Sequence, residues 1–259
     1  MNKIFSGNSL EILKDIEKES VQLIFADPPY NLSGKSMKTK GSKTGGDWKK
    51  VNEDWDIIAD YPKFTNDWIG LSKNLLKPNG SIFIACSYHN IGEVIMGLKL
   101  HNFEIKNIIT WKKSNPMPNM TRRVLTHSTE FIIWAVKGKG WIFNYDKLKE
   151  INPERQKDGS LKQMKDVWEF PLVQGKERIR GDDNKAIHPT QKPEKMLERV
   201  VLGFSDIGDT VLDPFCGSGT TCKVAKNLKR KYIGIEKEDK YLEIIHNRLS
   251  EKVELSLFD

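Results

Sequence analysis

The feature that most constrains this chain is an apolar run that ends in an acidic residue, bends through two glycines and continues as a helix-length segment. The run covers 210–212, and Asp213 follows it directly. Gly217 and Gly219 then permit a sharp bend and a close approach of the backbone to a ligand. Units of this kind bind nucleotide-like ligands at the carboxyl edge of an open, doubly wound sheet. The chain is therefore expected to fold around such a sheet.

Short apolar runs alternate with amphipathic segments of helical length along most of the chain. This pattern is typical of an α/β protein with a mostly parallel sheet. Lys77-Pro78-Asn79-Gly80 predicts a turn, because proline presets φ and glycine accepts a positive value. The predicted strands are 21–26, 81–86, 105–111, 131–136, 210–212 and 232–235. The predicted helices are 9–16, 63–76, 91–100, 193–204, 219–227 and 240–252.

Two segments depart from this alternation. Residues 31–60 are polar and rich in lysine, and residues 138–187 are interrupted by glycines and prolines. Loops of this length in a compact domain are usually functional or disordered. We expect one domain built from 1–137 and 188–259, with 138–187 as an inserted region.

Composition excludes some classes of protein and favours one class of partner. The 38% hydrophobic content is that of an ordinary folded protein, and the net charge of +7 favours a polyanionic partner. The three cysteines form no CxxC pair, so we expect small buried hydrophobes in a reducing compartment. No stretch approaches the roughly 18 apolar residues of a membrane span. The segment 1–6 lacks the apolar core of a signal peptide, and a cytoplasmic location is expected.

The glycine turn does not match the common phosphate-binding patterns. A P-loop places a lysine after its last glycine, where this chain has Thr220, and a dinucleotide fingerprint needs a glycine at Cys222. The acidic Asp213 suits a cationic ligand better than a phosphate. Glu236 ends the next predicted strand, where a carboxylate can accept both hydroxyls of a ribose. The alternative is that the glycines only make a tight turn.

A second motif, Asp27-Pro28-Pro29-Tyr30, follows the apolar run 21–26. Asp27 can accept one N–H of an exocyclic amine, and the carbonyl of Pro28 can accept the other. The two prolines fix the backbone, so these acceptors are preorganised. Tyr30 can stack on a base that has left the double helix. The alternative is a Pro-Pro turn in which Asp27 is only a cap.

Together these motifs resemble those of S-adenosylmethionine-dependent DNA amino-methyltransferases, in the β-class order with the target motif first. The resemblance implies a Rossmann-like fold and a site-specific enzyme of a bacterial restriction–modification system. Its reaction would move a methyl group from S-adenosylmethionine to N6 of a flipped adenine. In this family Asp at position 27 is associated mostly with adenine N6, and Ser with cytosine N4. Cytosine N4 methylation and a catalytically silent DNA-binding subunit remain open.

The resemblance also implies roles for individual residues. The catalytic residues are Asp27, Pro28, Pro29 and Tyr30. Gly7-Asn8-Ser9-Leu10 is similar to the family's cofactor-edge motif, with Asn8 in place of the usual Asp. The segment 188–193 resembles the motif that closes over the methionine moiety, where Lys192 would pair with the cofactor carboxylate. The implied cofactor-binding residues are Asn8, Lys192, Asp213, Phe215, Gly217, Ser218, Gly219, Thr220 and Glu236.

In this family the region here covered by 138–187 recognises the target sequence, and 31–60 is expected to be a basic, mobile loop that faces DNA. The segments 45–48 and 165–168 resemble those of enzymes that methylate the adenine of GATC. The alternative is that the lysine-rich loop is only solvated. The expected partner is double-stranded or single-stranded DNA, with a cognate restriction enzyme as a functional companion and a homodimer as a further possibility. The predicted DNA-binding residues are Lys35, Lys38, Lys40, Lys43, Trp48, Arg122, Arg123, Arg178 and Arg180, and Trp55, Trp141 and Trp168 are further candidates for stacking on bases.

Overall fold

The computed structural model describes residues 2–33, 53–119, 122–181 and 183–251, and within these ranges eight strands form a single sheet. The strands are β1 (Lys3–Ser6), β2 (Val21–Ala26), β3 (Leu76–Cys86), β4 (Glu104–Lys113), β5 (Thr129–Val136), β6 (Val167–Phe170), β7 (Thr210–Asp213) and β8 (Lys231–Glu236). The helices are α1 (Ser9–Asp15), α2 (Tyr61–Leu75), α3 (Ile91–Leu100), α4 (Tyr145–Glu150), α5 (Glu194–Phe204), α6 (Thr220–Asn227) and α7 (Asp239–Ser250).

The strands lie in the order β1-β8-β7-β2-β3-β5-β4-β6. Neighbouring strands run parallel except where β5 pairs antiparallel with β3 and with β4. The predicted mostly parallel α/β sheet is therefore confirmed. Helices α1, α2 and α3 pack together on one side, and α4, α5 and α6 pack together on the other.

Strand β2 lies in the middle of the sheet and is buried on both faces. Leu23 and Phe25 belong to the core cluster under α5 and α6, whereas Ile24 and Ala26 belong to the cluster under α2 and α3. A strand with helices over both faces needs apolar side chains at successive positions. The continuous apolar run of β2 follows from this double burial.

The two sequence motifs extend from neighbouring strands. In the register of β2 with β7, Leu23 pairs with Val211 and Ile24 pairs with Leu212, and the strands run parallel. The carboxyl ends of parallel neighbours lie at the same edge of a sheet, which is the edge where doubly wound folds bind ligands. Asp27 and Asp213 therefore leave the sheet side by side.

The turn predicted at Lys77–Gly80 is wrong as a strand boundary, because these residues lie inside β3. Between the pairs Val21–Leu76 and Leu23–Ser81, β2 advances by two residues and β3 by five. The extra residues form a bulge, which accommodates a proline that has no N–H to donate to a neighbouring strand. The proline and the glycine of this segment thus lie at a bend within a strand rather than at its end.

Three elements were missed in the sequence: β1, β6 and α4. Both strands are only four residues long and pair on one side with the sheet, so their apolar pattern is short. Strand β6 pairs with β4 and extends the sheet, so the inserted region 138–187 contributes to the same sheet as the rest of the chain. Among the described residues, no helix combines the length and apolar character needed to cross a bilayer.

Candidate active site

A cavity of about 390 Å³ opens at the carboxyl edge of β2 and β7. Its walls include Asp27 and Tyr30 from the first motif, and Asp213, Phe215 and Gly217 from the second. The two motifs lie in opposite halves of the sequence, and the pairing of β2 with β7 brings them together. The cavity therefore brings the Asp-Pro-Pro-Tyr motif and the glycine loop together.

The loop after β7 is organised by the carboxylate of Asp213. Its Oδ1 accepts a hydrogen bond from the backbone N–H of Phe215 at 3.0 Å, and its Oδ2 accepts one from the hydroxyl of Thr221 at 2.6 Å. Gly217 and Gly219 have φ values of +53° and +78°, which glycine adopts without a Cβ penalty. Asp213 thus joins the end of β7 to the first turn of α6.

Burial raises the pKa of Asp213 to about 7, and the hydrogen bonds from Thr221 and Phe215 only partly oppose this effect. Removing a carboxylate from water disfavours its charged form. A cationic ligand in the cavity would reverse that preference and stabilise the anion. Asp213 is therefore an acidic group whose charge depends on what occupies the cavity.

Glu236, at the end of β8, is the second acidic group of the loop. Its Oε2 accepts a hydrogen bond from Gly217 N at 2.7 Å, and its Oε1 accepts one from Glu238 N at 2.8 Å. Burial raises the pKa of Glu236, and these backbone N–H groups oppose the rise. A carboxylate oxygen can accept more than one hydrogen bond. Glu236 can therefore stabilise the loop and still accept the hydroxyl groups of a ligand.

The ring of Phe215 forms an apolar wall of the cavity. Trp68 packs edge-on against it with ring centroids 5.3 Å apart, and Phe64 packs at a tilt at 5.9 Å. Asn8 caps α1 by accepting a hydrogen bond from Leu10 N at 2.9 Å. The predicted Phe215 and Asn8 positions both border the cavity.

The predicted loop residues Ser218 and Thr220 are held by Arg248 of α7. Its Nη1 donates to the carbonyl oxygen of Ser218 at 2.6 Å and to Oγ1 of Thr220 at 3.0 Å. Its Nη2 forms an ion pair with the partly exposed Glu194 at 2.6 Å. Arg248 was not predicted as a site residue, because an arginine near the end of an amphipathic helix gives no signal of a distant loop.

The Asp-Pro-Pro-Tyr motif is fixed by hydrogen bonds to its backbone as well as by its prolines. The carbonyl oxygen of Pro29 accepts from the hydroxyl of Tyr61 at 3.0 Å, and that hydroxyl accepts from Nδ2 of Asn90 at 2.7 Å. Asn90 is buried. The motif is therefore supported by α2 and by the residue that precedes α3, neither of which its own sequence indicates.

Lys192 makes a contact that its sequence-based prediction did not include. We expected its ammonium to meet a cofactor carboxylate, but Nζ lies 2.7 Å from Oδ1 and 2.6 Å from Oδ2 of Asp27. A buried ammonium needs a nearby anion, and Asp27 is the anion that the fold supplies. Lys192 therefore belongs with the target motif in this structure.

Glu130, near the start of β5, completes a cluster of charged groups around Asp27. Its Oε2 accepts from the hydroxyl of Tyr30 at 3.4 Å and lies 3.9 Å from Nζ of Lys192. Burial and the carboxylates of Asp27 and Glu130 raise the pKa of Tyr30 well above its usual value, so its phenol stays neutral. Glu130 was not predicted, although an acidic residue at the head of an apolar strand is a signal that could have identified it.

The segment that follows residue 52 lies across one wall of the cavity. Asp56 is buried and accepts hydrogen bonds, each of 2.8 Å, from the backbone N–H groups of Asn31, Leu32 and Ser33. Trp55 stacks on His188 with ring centroids 6.1 Å apart. These contacts join the chain after the Asp-Pro-Pro-Tyr motif to the cavity wall.

Comparison with known proteins decides the family. A family model described as DNA methylase matches residues 21–247. The chain belongs to the DNA methylase family. The predicted family and the predicted fold class are confirmed.

Individual relatives agree with this assignment. The methylase is 45% identical over 250 residues to the type II methyltransferase M2.DpnII of Streptococcus pneumoniae, covering 94% of this chain and 87% of the relative. It is 40% identical over 258 residues to the type II methyltransferase M.HinfI of Haemophilus influenzae, covering 97% of this chain and 69% of the relative. The fold is similar to that in the crystal structure of the M1.HpyAVI–SAM complex, with a TM-score of 0.69 and 31% sequence identity. The match covers 97% of this chain and 100% of the M1.HpyAVI chain.

The predicted DNA-binding residues of the methylase fall into separate groups. Arg122 and Arg123 are exposed in the connection between β4 and β5. Arg178 donates to the carbonyl oxygen of Pro189 at 3.1 Å and borders the cavity, whereas Arg180 donates to the carbonyl oxygen of Asn184 at 2.7 Å. The predicted Lys35, Lys38, Lys40, Lys43 and Trp48 lie outside the described residues.

Like Trp55, which stacks on His188, two further tryptophans proposed for base stacking have other contacts in the methylase. Trp168 is buried, donates from Nε1 to the carbonyl oxygen of Lys165 at 2.7 Å and packs under the guanidinium of Arg199, so its proposed role is wrong. Trp141 lies beneath the ammonium of Lys106 at 3.7 Å. Both tryptophans pack within the protein.

Proposed function

We propose that this methylase transfers a methyl group to N6 of a flipped adenine at a specific DNA sequence, as part of a bacterial restriction–modification system. The observation that carries the proposal is that Asp27 and Gly217 border the same cavity. An amine acceptor and a nucleotide-type loop on one cavity are what methyl transfer to an exocyclic amine requires.

S-adenosylmethionine is the methyl donor, and when bound it supplies an electrophilic methyl group on a sulfonium. The side chains around the loop fit such a ligand. The carboxylate of Asp213 suits a positive charge, Glu236 retains acceptor capacity for ribose hydroxyls, and Phe215 offers an apolar face to a flat ring. We assign Asn8, Gly217, Ser218, Gly219 and Thr220 to the same site.

The target amine is assigned to the Asp-Pro-Pro-Tyr motif. Asp27 would accept one N–H of adenine N6 and the carbonyl oxygen of Pro28 the other, which draws electron density onto the nitrogen. An amine that gains a methyl group must also lose a proton, and the carboxylate of Asp27 would accept it. Pro29 holds the backbone through its contact with Tyr61, and the ring of Tyr30 would stack on the flipped base.

The DNA-facing surface is proposed to lie around the mouth of this cavity. Exposed Arg122 and Arg123 follow β4 at the edge of the sheet where the cavity opens, and they would neutralise phosphates together with the lysines of the 31–60 segment. The region 138–187 is proposed to recognise the sequence, and Arg178 places part of it at the cavity wall. Recognition of GATC, a homodimer, a cognate restriction enzyme and a cytoplasmic location remain predictions.

Methyl transfer to DNA by an Asp27→Ala variant tests the proposal. With labelled S-adenosylmethionine, the variant should transfer no methyl group, while calorimetry should find its affinity for S-adenosylmethionine nearly unchanged. The double variant Asp27→Ala/Lys192→Met serves as a control, because it leaves no buried ammonium unpaired. Asp15→Ala, at the opposite edge of the sheet, should behave as the unmodified protein. Transfer at the normal rate by Asp27→Ala would contradict the proposal.

A further inference from the structure

The contact between Lys192 and Asp27 involves the atoms that the proposed reaction needs. Both carboxylate oxygens of Asp27 lie within 2.7 Å of the Lys192 ammonium. Lys192 is only 7% exposed, so water contributes little to its solvation. A side chain in this position influences both the charge and the direction of the carboxylate.

Glu130 provides a second anion beside the same ammonium. Its Oε2 lies 3.9 Å from Nζ of Lys192, and its Oε1 lies 2.7 Å from Nζ of Lys113 in β4. The four side chains therefore form a row of alternating charge: Lys113, Glu130, Lys192 and Asp27. Because Lys113 fixes Glu130, the far end of the row stays in place when the near end rearranges.

An ammonium group has three hydrogens, and a carboxylate oxygen can accept more than one hydrogen bond. When a base amine approaches Asp27, a short rotation of the Lys192 side chain would turn one hydrogen toward Glu130. That rotation would free acceptor capacity on Asp27 without leaving the ammonium unpaired. The 3.9 Å gap to Glu130 is the distance that this rotation would close.

We propose that Lys192 is a positioning residue for methyl transfer, which keeps Asp27 ionised and aimed into the cavity, and that Glu130 is the second anchor of its ammonium. The proposal rests on the proposed role of Asp27 in binding the target amine. It assigns to Lys192 a role in the reaction rather than in binding the donor.

The ammonium of Lys192 and the carboxylate of Glu130 shift the pKa of Asp27 in opposite directions. Burial raises the pKa of Asp27, the ammonium of Lys192 lowers it, and the carboxylate of Glu130 raises it. Burial alone would lower the pKa of Lys192, but Asp27 and Glu130 outweigh it and raise that pKa. The other titratable groups that face Asp27 are Tyr30, Cys86 and Asp213.

The sign of each variant's effect follows from these charges. Asp27 must be a carboxylate to accept an amine hydrogen, so activity falls on the acidic side as this group takes up a proton. Removing the Lys192 charge raises the pKa of Asp27 and moves the acidic limb of kcat to higher pH. Removing the Glu130 charge lowers the pKa of Asp27 and moves that limb to lower pH.

The test measures kcat against pH, together with the dissociation constant for S-adenosylmethionine, for Lys192→Met, Lys192→Arg and Glu130→Gln. We expect Lys192→Met to shift the acidic limb upward by about one pH unit or more, which is about a tenfold loss of kcat on that limb. Glu130→Gln should shift the limb downward, and Lys192→Arg should restore most of the normal profile. Affinity for S-adenosylmethionine should stay unchanged in all of them. Lys195→Met, an exposed lysine of α5, is the matched control.

Two results would overturn the inference. Weaker binding of S-adenosylmethionine by Lys192→Met, with an unchanged pH profile of kcat, would show that Lys192 binds the cofactor instead. An equal loss of kcat at every pH would show that its role is structural. If Lys192→Met does not fold, the direction of the Glu130→Gln shift decides. Failure of the proposed function is distinguishable, because either the unmodified protein would then transfer no methyl group to DNA or Asp27→Ala would remain active.

Discussion

The imidazole of His188 fills the space beside Gly217: a Cβ atom built on Gly217 would lie 2.8 Å from Nε2 of His188. The imidazole cannot easily move away, because it packs between Trp55 and Tyr241, with ring centroids 6.1 Å and 4.7 Å from its own. Burial, together with nearby cations, lowers the pKa of His188 to about 3, so this ring is neutral. Gly217 is therefore required both for its positive φ and for the space that it leaves.

Gly217→Ala should consequently cost more than backbone strain alone. Gly175→Ala is a matched control, because Gly175 also has a positive φ, +62°, but nothing lies within 4 Å of its Cβ position. The control should lose about 1–2 kcal/mol of unfolding free energy from the left-handed backbone. Gly217→Ala should lose more than that, and calorimetry should also find weaker binding of S-adenosylmethionine. Equal losses in the two variants, with unchanged binding, would contradict the packing argument.

The pKa of Asp213, about 7, makes donor binding depend on pH. Below pH 7 the free protein holds Asp213 increasingly protonated, whereas a cationic ligand favours its carboxylate. Affinity for S-adenosylmethionine should therefore fall as pH drops below 7, and binding there should release a proton. Calorimetry in buffers of different ionisation enthalpy measures that release, and Asp213→Asn should abolish it. Constant affinity from pH 6 to 8, with no proton release, would mean that Asp213 does not face the positive charge.

The carboxylate of Asp56 accepts hydrogen bonds from three backbone N–H groups of the chain that follows the Asp-Pro-Pro-Tyr motif. Asp56→Asn removes the charge and replaces one acceptor oxygen by a donor, which leaves at least one buried N–H unpaired. We expect a loss of about 1–3 kcal/mol in unfolding free energy, measured by urea denaturation. Asp54→Asn, in the same short 3-10 segment but exposed, should change stability very little. If both variants had the same stability, Asp56 would not be the anchor of this segment.

Arg122 and Arg123 should contribute to DNA binding through phosphate contacts. The logarithm of affinity falls with the logarithm of salt concentration by about 0.9 for each neutralised phosphate. Replacing both arginines by alanine should therefore reduce this slope by about 2, measured by fluorescence anisotropy with duplex DNA over a series of salt concentrations. Lys14→Ala, in the last turn of α1 at the opposite edge of the sheet, should leave the slope unchanged. An unchanged slope in the double arginine variant would place these residues outside the interface.

The strands and helices that were predicted correctly are those whose apolar residues in the sequence are also the residues buried in the fold. Strand β2 has the bounds 21–26 that its apolar run predicts, because it is buried on both faces. Helix α3 likewise has the predicted bounds 91–100. The short edge strands β1 and β6 lack such a run. The proline–glycine turn lies within β3 as a bulge because its neighbour β2 pairs with β3 on both sides of it.

The candidate site was predicted where its residues lie in one motif and missed where they meet only in space. Asp27 and Asp213 each stand at the end of an apolar run, so parallel strands place both at one edge. The partner of Lys192 could not be predicted, because 165 residues separate it from Asp27 and no local pattern records their contact. Glu130, by contrast, has a local signal in its position at the head of an apolar strand, although only the pairing of β5 with β3 and β4 shows that it reaches the cavity.

In the proposed reaction the carboxylate of Asp27 holds the adenine amine while the glycine loop at Gly217 holds the methyl donor in the same cavity. Sequencing of modified bases in plasmid DNA, taken from a host without adenine methylation of its own that expresses this methylase, tests it most directly. We expect N6-methyladenine at a single recurring sequence, with GATC as the expected one, and none with Asp27→Ala. N4-methylcytosine in place of N6-methyladenine, or undiminished methylation with Asp27→Ala, would contradict it.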